Sequence, residues 1–216
     1  MPIEKTIKLF RYDELSERAK ERAREWYLSG LYWPHELDHV LEQWKSIAEK
    51  LGFAVDDGPW WDLYRRTFEI GRGRFFRDLD DDGLDALEKE WGPNPETGWE
   101  GNPDVLSIID KVRSIRPHMS ARIEDGRIYD VEGGQDHLAE PSTDYPGEEW
   151  DAYFEQVEKI NAEEKTNIED ALSALQKLGL KWLKEEMDYL ESEEAVSEAM
   201  EANEWLFFED GTFAPY

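Results

Sequence analysis

Helices dominate the α+β fold that this sequence predicts, and three observations point to it. Apolar residues recur every three or four positions over several long stretches, the period of one buried helix face. Shorter stretches alternate in polarity or are rich in aromatic and β-branched residues, as strands are, and are bounded by Gly and Asp-Gly turns. No Ser/Gly/Pro-rich linker divides the 216 residues, so a single domain, 1–216, is expected, with a small antiparallel sheet or hairpins and long acidic C-terminal helices.

Lys5 to Phe10 alternates polar and apolar residues, the period of a short strand. Leu15, Ala19, Ala23 and Trp26 then mark a helix face, with Ser16 as its N-cap. Pro34 suits a first helical turn, where its missing N–H costs nothing. It opens a second helix whose face is Leu37, Val40, Leu41, Trp44, Ile47, Ala48 and Leu51, and Gly52 ends it. Residues 61–77 are expected to form a strand or hairpin interrupted at Gly71 and Gly73, and Leu84 to Trp91 a short helix. Asn102 before Pro103 caps a helix that turns Val105, Leu106, Ile109 and Val112 inward. Met119 to Val131 has the pattern of a hairpin about Asp125-Gly126. The segment from Glu132 to Gly147 bears Gly, Pro and Ser and is expected to be an exposed loop. From Trp150 to Trp182 helical phase is kept, as one long helix or as two abutting at Thr166, which with Glu169 has capping-box spacing. Ser192 to Ala202 is a further helix, and Trp205 to Phe208, Asp210-Gly211 and Thr212-Phe213 form a closing hairpin pattern.

Charge limits the function classes. The chain has 52 Asp and Glu against 25 Lys and Arg, a formal net charge of -27. A protein that binds nucleic acid through a basic groove places cations on phosphates, and here the sign is wrong. Disorder is also disfavoured, because 39% hydrophobic residues, ten Trp among them, supply a core that solvating acidic chains lack. The absence of Cys excludes disulfides, zinc ribbons and thiol nucleophiles and fits a reducing compartment. No apolar run approaches the ~18 residues of a membrane span, and Met1 to Lys5 begins neither a signal peptide nor a transit segment. The expected setting is the cytoplasm, with no membrane and no direct nucleic-acid contact.

The charge is uneven. Residues 1–130, a mixed α/β part, hold 28 acids and 20 bases, whereas residues 131–216, a strongly acidic helical part, hold 24 acids, five Lys and no Arg. The C-terminal part therefore carries 19 of the 27 excess charges, interleaved with apolar residues at helical spacing, as a fixed face would be. Nine carboxylates lie between Glu148 and Asp170; at ~1.5 Å per residue that is roughly one per 3.7 Å, near the ~3.4 Å phosphate repeat of a DNA strand. Such a face attracts a basic cleft through a fast, salt-sensitive encounter. The plainer reading is a solvated surface that only maintains solubility. The residues expected to bind a partner are Glu148, Glu149, Asp151, Glu155, Glu158, Glu163 and Glu164, with Glu185, Glu186, Glu191, Glu193 and Glu194.

Two motifs suggest metals. His35-Glu36-Leu37-Asp38-His39 fits the H-E-x-x-H pattern, in which two His four apart on a helix ligate zinc while Glu polarises the bound water. Pro34 places this pattern in a first turn, and periodicity leaves His35 and His39 on the flank of the apolar face, so surface histidines are expected. A zinc metallohydrolase built on His35, Glu36 and His39 is the alternative from a different class. Asp78, Asp80 and Asp82 before Gly83 match the start of a calcium loop, but the twelfth position is Lys89 where the pattern needs Glu, so an acidic helix cap is expected. Arg65, Arg66, Arg72, Arg74 and Arg77, interleaved with aromatics, form the one basic cluster, expected to pair internally with the acidic segments. Trp60, Trp61 and Trp99 stand in turn-rich sequence and are candidate contact surface. No Gly-rich phosphate loop, nucleophile elbow or Ser/His/Asp arrangement is present, which favours a binding protein over an enzyme and calls for no cofactor.

Phe10 to Ala23 (FRYDELSERAKERA), followed by a helix ending in Leu51-Gly52-Phe53, resembles the start of a family of small bacteriophage and prophage proteins sometimes labelled antitoxin-like. Ser192 to Ala195, Glu201 to Glu204 and Phe208 to Gly211 resemble the end of the same proteins, the whole covering about a third of the chain. The family carries no settled enzymatic site. The resemblance implies a phage or mobile-element setting, in the cytoplasm of an infected bacterium. With the charge count it leads to an expected inhibitor of DNA-mimic type, directed at a basic nucleic-acid-binding cleft of a CRISPR or restriction complex. An antitoxin-like partner of a basic toxin is a further alternative, and a homodimer is compatible with either.

Overall fold

The structure is a computed structural model that describes residues 7–31, 33–77, 81–141 and 147–215. Its elements in chain order are α1 (Glu17–Gly30), α2 (Trp33–Glu36), α3 (Asp38–Lys50), β1 (Phe53–Asp57), β2 (Trp60–Asp62), β3 (Thr67–Glu69), β4 (Arg72–Phe76), α4 (Asp81–Trp91), α5 (Pro103–Ser114), β5 (Ser120–Glu124), β6 (Arg127–Glu132), α6 (Glu148–Leu190) and α7 (Glu193–Ala202). The helix-dominated α+β class expected from the sequence is the one observed. The chain forms two compact units, residues 1–39 with 184–216, and residues 40–183.

The 40–183 unit is built on a four-stranded antiparallel sheet of order β1-β4-β5-β6, with β2 and β3 as a separate two-stranded hairpin. Phe53 lies opposite Phe75 across β1 and β4, their rings 4.7 Å apart and both buried, so alternate positions of this pair feed the core. The β5–β6 turn has Asp125 and Gly126 both at positive φ, the requirement of the two-residue turn read from the sequence. Gly73 lies inside β4, where a Cβ would stand 2.4 Å from the Ala54 carbonyl oxygen; its role is close backbone approach, not interruption. Asn102 Oδ1 accepts from the Asp104 and Val105 N–H groups at 3.1 Å each and caps α5 as expected. The buried face of α5 is Val105, Ile108, Ile109 and Val112; Ile108 replaces Leu106, which is half-exposed.

Trp44 of α3 is fully buried, donates its indole N–H to the Leu175 carbonyl at 2.8 Å, and packs its ring 4.7 Å from that of Phe68. Gly179 of α6 lies against Phe68, whose ring occupies the place a Cβ would take, 2.5 Å away. Of the two readings left open at Thr166, the single long helix is the one observed: α6 runs unbroken for 43 residues and Thr166 directs its hydroxyl at the Ala162 carbonyl one turn back. The segment after β6 is not wholly an exposed loop, because Gly133 and Gly134 are buried and the Gly134 N–H donates to Asn161 Oδ1 at 3.0 Å.

Three arginines of the cluster pair with acids close to them on β1 and β2. Arg65 stands 3.6 Å from Asp62, Arg72 3.6 Å from Asp57 and Arg74 3.7 Å from Asp56. Arg77 is buried and donates from Nε to the Val112 carbonyl.

In the unit of residues 1–39 and 184–216, Tyr12, Leu15, Ala19 and Ala23 pack with Val196, Met200 and Phe207. Ser16 caps α1 through the Ala19 N–H, as the sequence indicates, and Ser192 caps α7 through the Ala195 N–H. Of the expected strand from Lys5 to Phe10, residues before Ile7 lie outside the described residues, and Phe10 makes an isolated antiparallel bridge to Phe207. Phe207 also bridges Phe213, so the closing hairpin is a tight turn with one bridge. Gly211 makes that turn at positive φ, where a Cβ would fall 2.1 Å from the Ala19 carbonyl oxygen. Beside it, Asp210 accepts from the Thr212 N–H at 3.0 Å and from Arg22 at 2.6 Å, and the Thr212 hydrogen bonds above all hold its carboxyl below the ordinary 3.8. The helix expected from Pro34 to Leu51 is broken: α2 stops at Glu36 and α3 begins at Asp38, with fully buried Leu37 between them and His39 Nδ1 bonded to the Glu36 carbonyl at 3.1 Å. No helix of the described residues is long and apolar enough to cross a membrane.

Candidate acidic docking face

The twelve carboxylates singled out in the sequence divide between the units. Glu148, Glu149, Asp151, Glu155, Glu158, Glu163 and Glu164 are in the 40–183 unit, and Glu185, Glu186, Glu191, Glu193 and Glu194 in the other. Within the first group, positions 148, 151, 155 and 158 are spaced by three and four residues and are exposed, so they form one outward stripe along the first turns of α6. Glu148, Glu149 and Asp151 also complement the positive end of the helix dipole. The apolar face that fixes the helix is Tyr153, Ile168, Ala171, Leu172 and Leu175. Glu169 and Asp170 are exposed as well. Among the described residues, none of these seven carboxylates, at 148, 149, 151, 155, 158, 169 and 170, has a Lys, Arg or His nitrogen within 4.0 Å.

Glu164 departs from the expected outward set, and Glu163, though exposed, has a cationic partner. Glu163 pairs with Arg116 at 3.4 Å. Glu164 is only 3% exposed, pairs with Arg116 at 3.6 Å, and accepts from the Arg116 backbone N–H and from Asn167 Nδ2 at 3.1 Å. It holds α6 to the segment after α5 and presents nothing outward. Without these two, the charge spacing from 148 to 170 widens from roughly 3.7 Å to about 4.7 Å at ~1.5 Å per residue. The face is less dense than a phosphate strand.

In the second group, Glu193 and Glu194 are exposed in the first turn of α7, and Glu185 is exposed near the end of α6. Glu186 is half-buried with His39 Nε2 at 3.6 Å, and Glu191 is half-buried with its carbonyl accepting from Arg24 at 2.5 Å.

The metal motifs are placed as follows. His35 is in α2 with Asp38 at 3.5 Å from its Nδ1, and His39 is in α3 beyond the break at Leu37, so the two do not share one continuous helix. Among the described residues no three His, Asp or Glu side chains converge as a metal site. Asp78 and Asp80 lie outside the described residues; Asp82 is exposed in the first turn of α4, as is Lys89 further along that helix.

In the unit of residues 1–39 and 184–216 a cavity of about 470 Å³ is lined by Trp26, Tyr27, Gly30, Leu31, Glu36 and Trp205, among others. Helical spacing marks Trp26 as core, and nothing periodic joins it to a residue about 180 positions away. Burial first and the nearby Glu36 carboxylate second push the Tyr27 phenol above its ordinary 10.0.

Comparison with protein-family models, with curated proteins and with solved structures finds no match to this chain.

Proposed function

We propose that the protein is an acidic inhibitor of phage or mobile-element origin that presents the outward carboxylates of α6 to a basic nucleic-acid-binding cleft of a host defence complex, of CRISPR or restriction type, in the place of DNA. The observation that carries the reading is the stripe of Glu148, Asp151, Glu155 and Glu158, exposed, without cationic partners among the described residues, and fixed by the buried face of one helix. Like charges held this close repel one another, and a basic cleft relieves that repulsion while expelling its own counterions. The charge acts before contact, so it governs the association rate more than the final affinity.

The test is a combined Lys substitution at Glu148, Asp151, Glu155 and Glu158. The unchanged protein retains a nucleic-acid-binding complex from nuclease-treated host extract, releases it as salt rises, and loses it to competing duplex DNA. The substituted protein, with unaltered helical circular dichroism, associates about ten-fold or more slowly with the captured complex. Binding that survives the four substitutions at physiological salt overturns the reading.

A further inference from the structure

We propose that the cavity lined by Trp26, Tyr27, Glu36 and Trp205 is a binding site for an organic cation, an ammonium or guanidinium group carried on an apolar stem. Three independent features of the site ask for that chemistry. The first is its walls. The rings of Trp26 and Trp205 meet edge to face at 5.2 Å and 78°, Tyr27 lies 5.9 Å from Trp205 at 55°, and Phe213 stacks on one face of Trp26 at 4.2 Å, so the cavity is lined by the ring surfaces that these contacts leave uncovered. The faces of such rings carry the negative part of their quadrupole, which attracts a cation and tolerates its methyl or methylene groups.

The second is the end of α1. Gly30 closes the helix and lines the cavity, so the last carbonyls of α1 put the negative end of its dipole there, and the last turn contains no basic side chain to neutralise it. The third is Glu36, a carboxylate on the same wall, with no Lys or Arg among the described lining residues. At about 470 Å³ the cavity is of the size that takes small molecules, larger than a trimethylammonium head and with room for a stem.

Such a head comes either from a free small cation or from a Lys or Arg side chain of a partner protein. The chemistry is shared, and the titrants separate the sources. The full chain, with its tryptophan indoles labelled with ¹⁵N, is titrated at constant ionic strength with tetramethylammonium, with acetyl-trimethyllysine amide, with acetyl-arginine amide, and with the neutral isostere 3,3-dimethyl-1-butanol. Saturable shifts confined to the indoles of Trp26 and Trp205, with the neutral compound about ten-fold or more weaker than the best cation, support the site. Tetramethylammonium as the tightest titrant points to a free cation, and either amino-acid amide to a partner's side chain. Glu36→Gln weakens the cation about three- to ten-fold and leaves the neutral compound unchanged. Trp205→Phe, which keeps an aromatic ring in the cluster, assigns one indole and also weakens the cation. The proposal is overturned if the neutral compound binds as well as the cations, if the shifts are unsaturable or spread over all ten tryptophans, or if Glu36→Gln leaves cation affinity unchanged. Because Glu36 is outside the aromatic core cluster, that last result stands even if Trp205→Phe fails to fold.

Discussion

Gly179 shows how one missing methyl group fixes the distance between a helix and a hairpin. In an exposed helix Gly to Ala gains about 1 kcal/mol of helix propensity. At this position the new Cβ falls 2.5 Å from a Phe68 ring that is 4% exposed and held by Trp44, so the ring has nowhere to go. Overpacking of this kind costs about 1–3 kcal/mol, which exceeds or cancels the propensity gain. Gly179→Ala is therefore expected to be neutral to destabilising, by roughly 0–2 kcal/mol in urea unfolding; a more stable variant would show that Phe68 repacks freely. Legibility at this scale depended on phase. Glu164 stands four residues before Ile168, in register with the buried face, so its burial was available from the same periodicity that placed Ile168 and Leu175 inward. Counting carboxylates along the chain overlooked what counting them around the helix contains. The aromatic cavity had no such signal, because Trp26 and Trp205 are brought together only by the packing of α1 with the segment after α7.

Among the elements, two hydroxyl residues in helix-forming sequence run against their signatures. Thr166 has a glutamate three residues on, the capping-box spacing, and is in mid-helix, whereas Ser192 has Ala195 at that place and is an N-cap. What separates them is the backbone. Ser192 is extended at φ -67 and ψ 155 and frees its oxygen for the Ala195 N–H, whereas apolar phase continues unbroken on both sides of Thr166. Ser192→Ala is thus expected to lower the melting temperature through a loss of about 1 kcal/mol. Thr166→Ala is expected to be neutral or to stabilise by a few tenths of a kcal/mol, since only a back-bond and a lower helix propensity are removed. Equal losses at the two sites would contradict the continuity of α6. Caps at Ser16 and Asn102 and the turn at Asp125-Gly126 were legible because each rests on contacts within three residues. The break at Leu37 was not, because the apolar pattern runs straight through it.

For the molecule as a whole, the net charge of -27 is a standing destabilisation that salt relieves. The Debye length falls from about 30 Å at 0.01 M to about 3 Å at 1 M, which removes repulsion between separated carboxylates while close pairs such as Arg22 with Asp210 lose less. The melting temperature should rise by several degrees over that range, and a flat or falling curve would mean that attractive pairs outweigh the excess. The helix-dominated class was readable from periodicity alone. The partition into units was not, because it depends on which distant segments pack. One unit is assembled from two stretches far apart in the chain, with Ala19 and Ala23 sharing a core with Val196 and Met200. On the ribosome, about 170 residues separate the appearance of the first half of that core from the second, a delay of roughly 9–35 s at ~5–20 residues per second. Throughout synthesis the apolar side of α1 waits without its partner, and for that time the contacts that bury it in the finished fold do not yet exist.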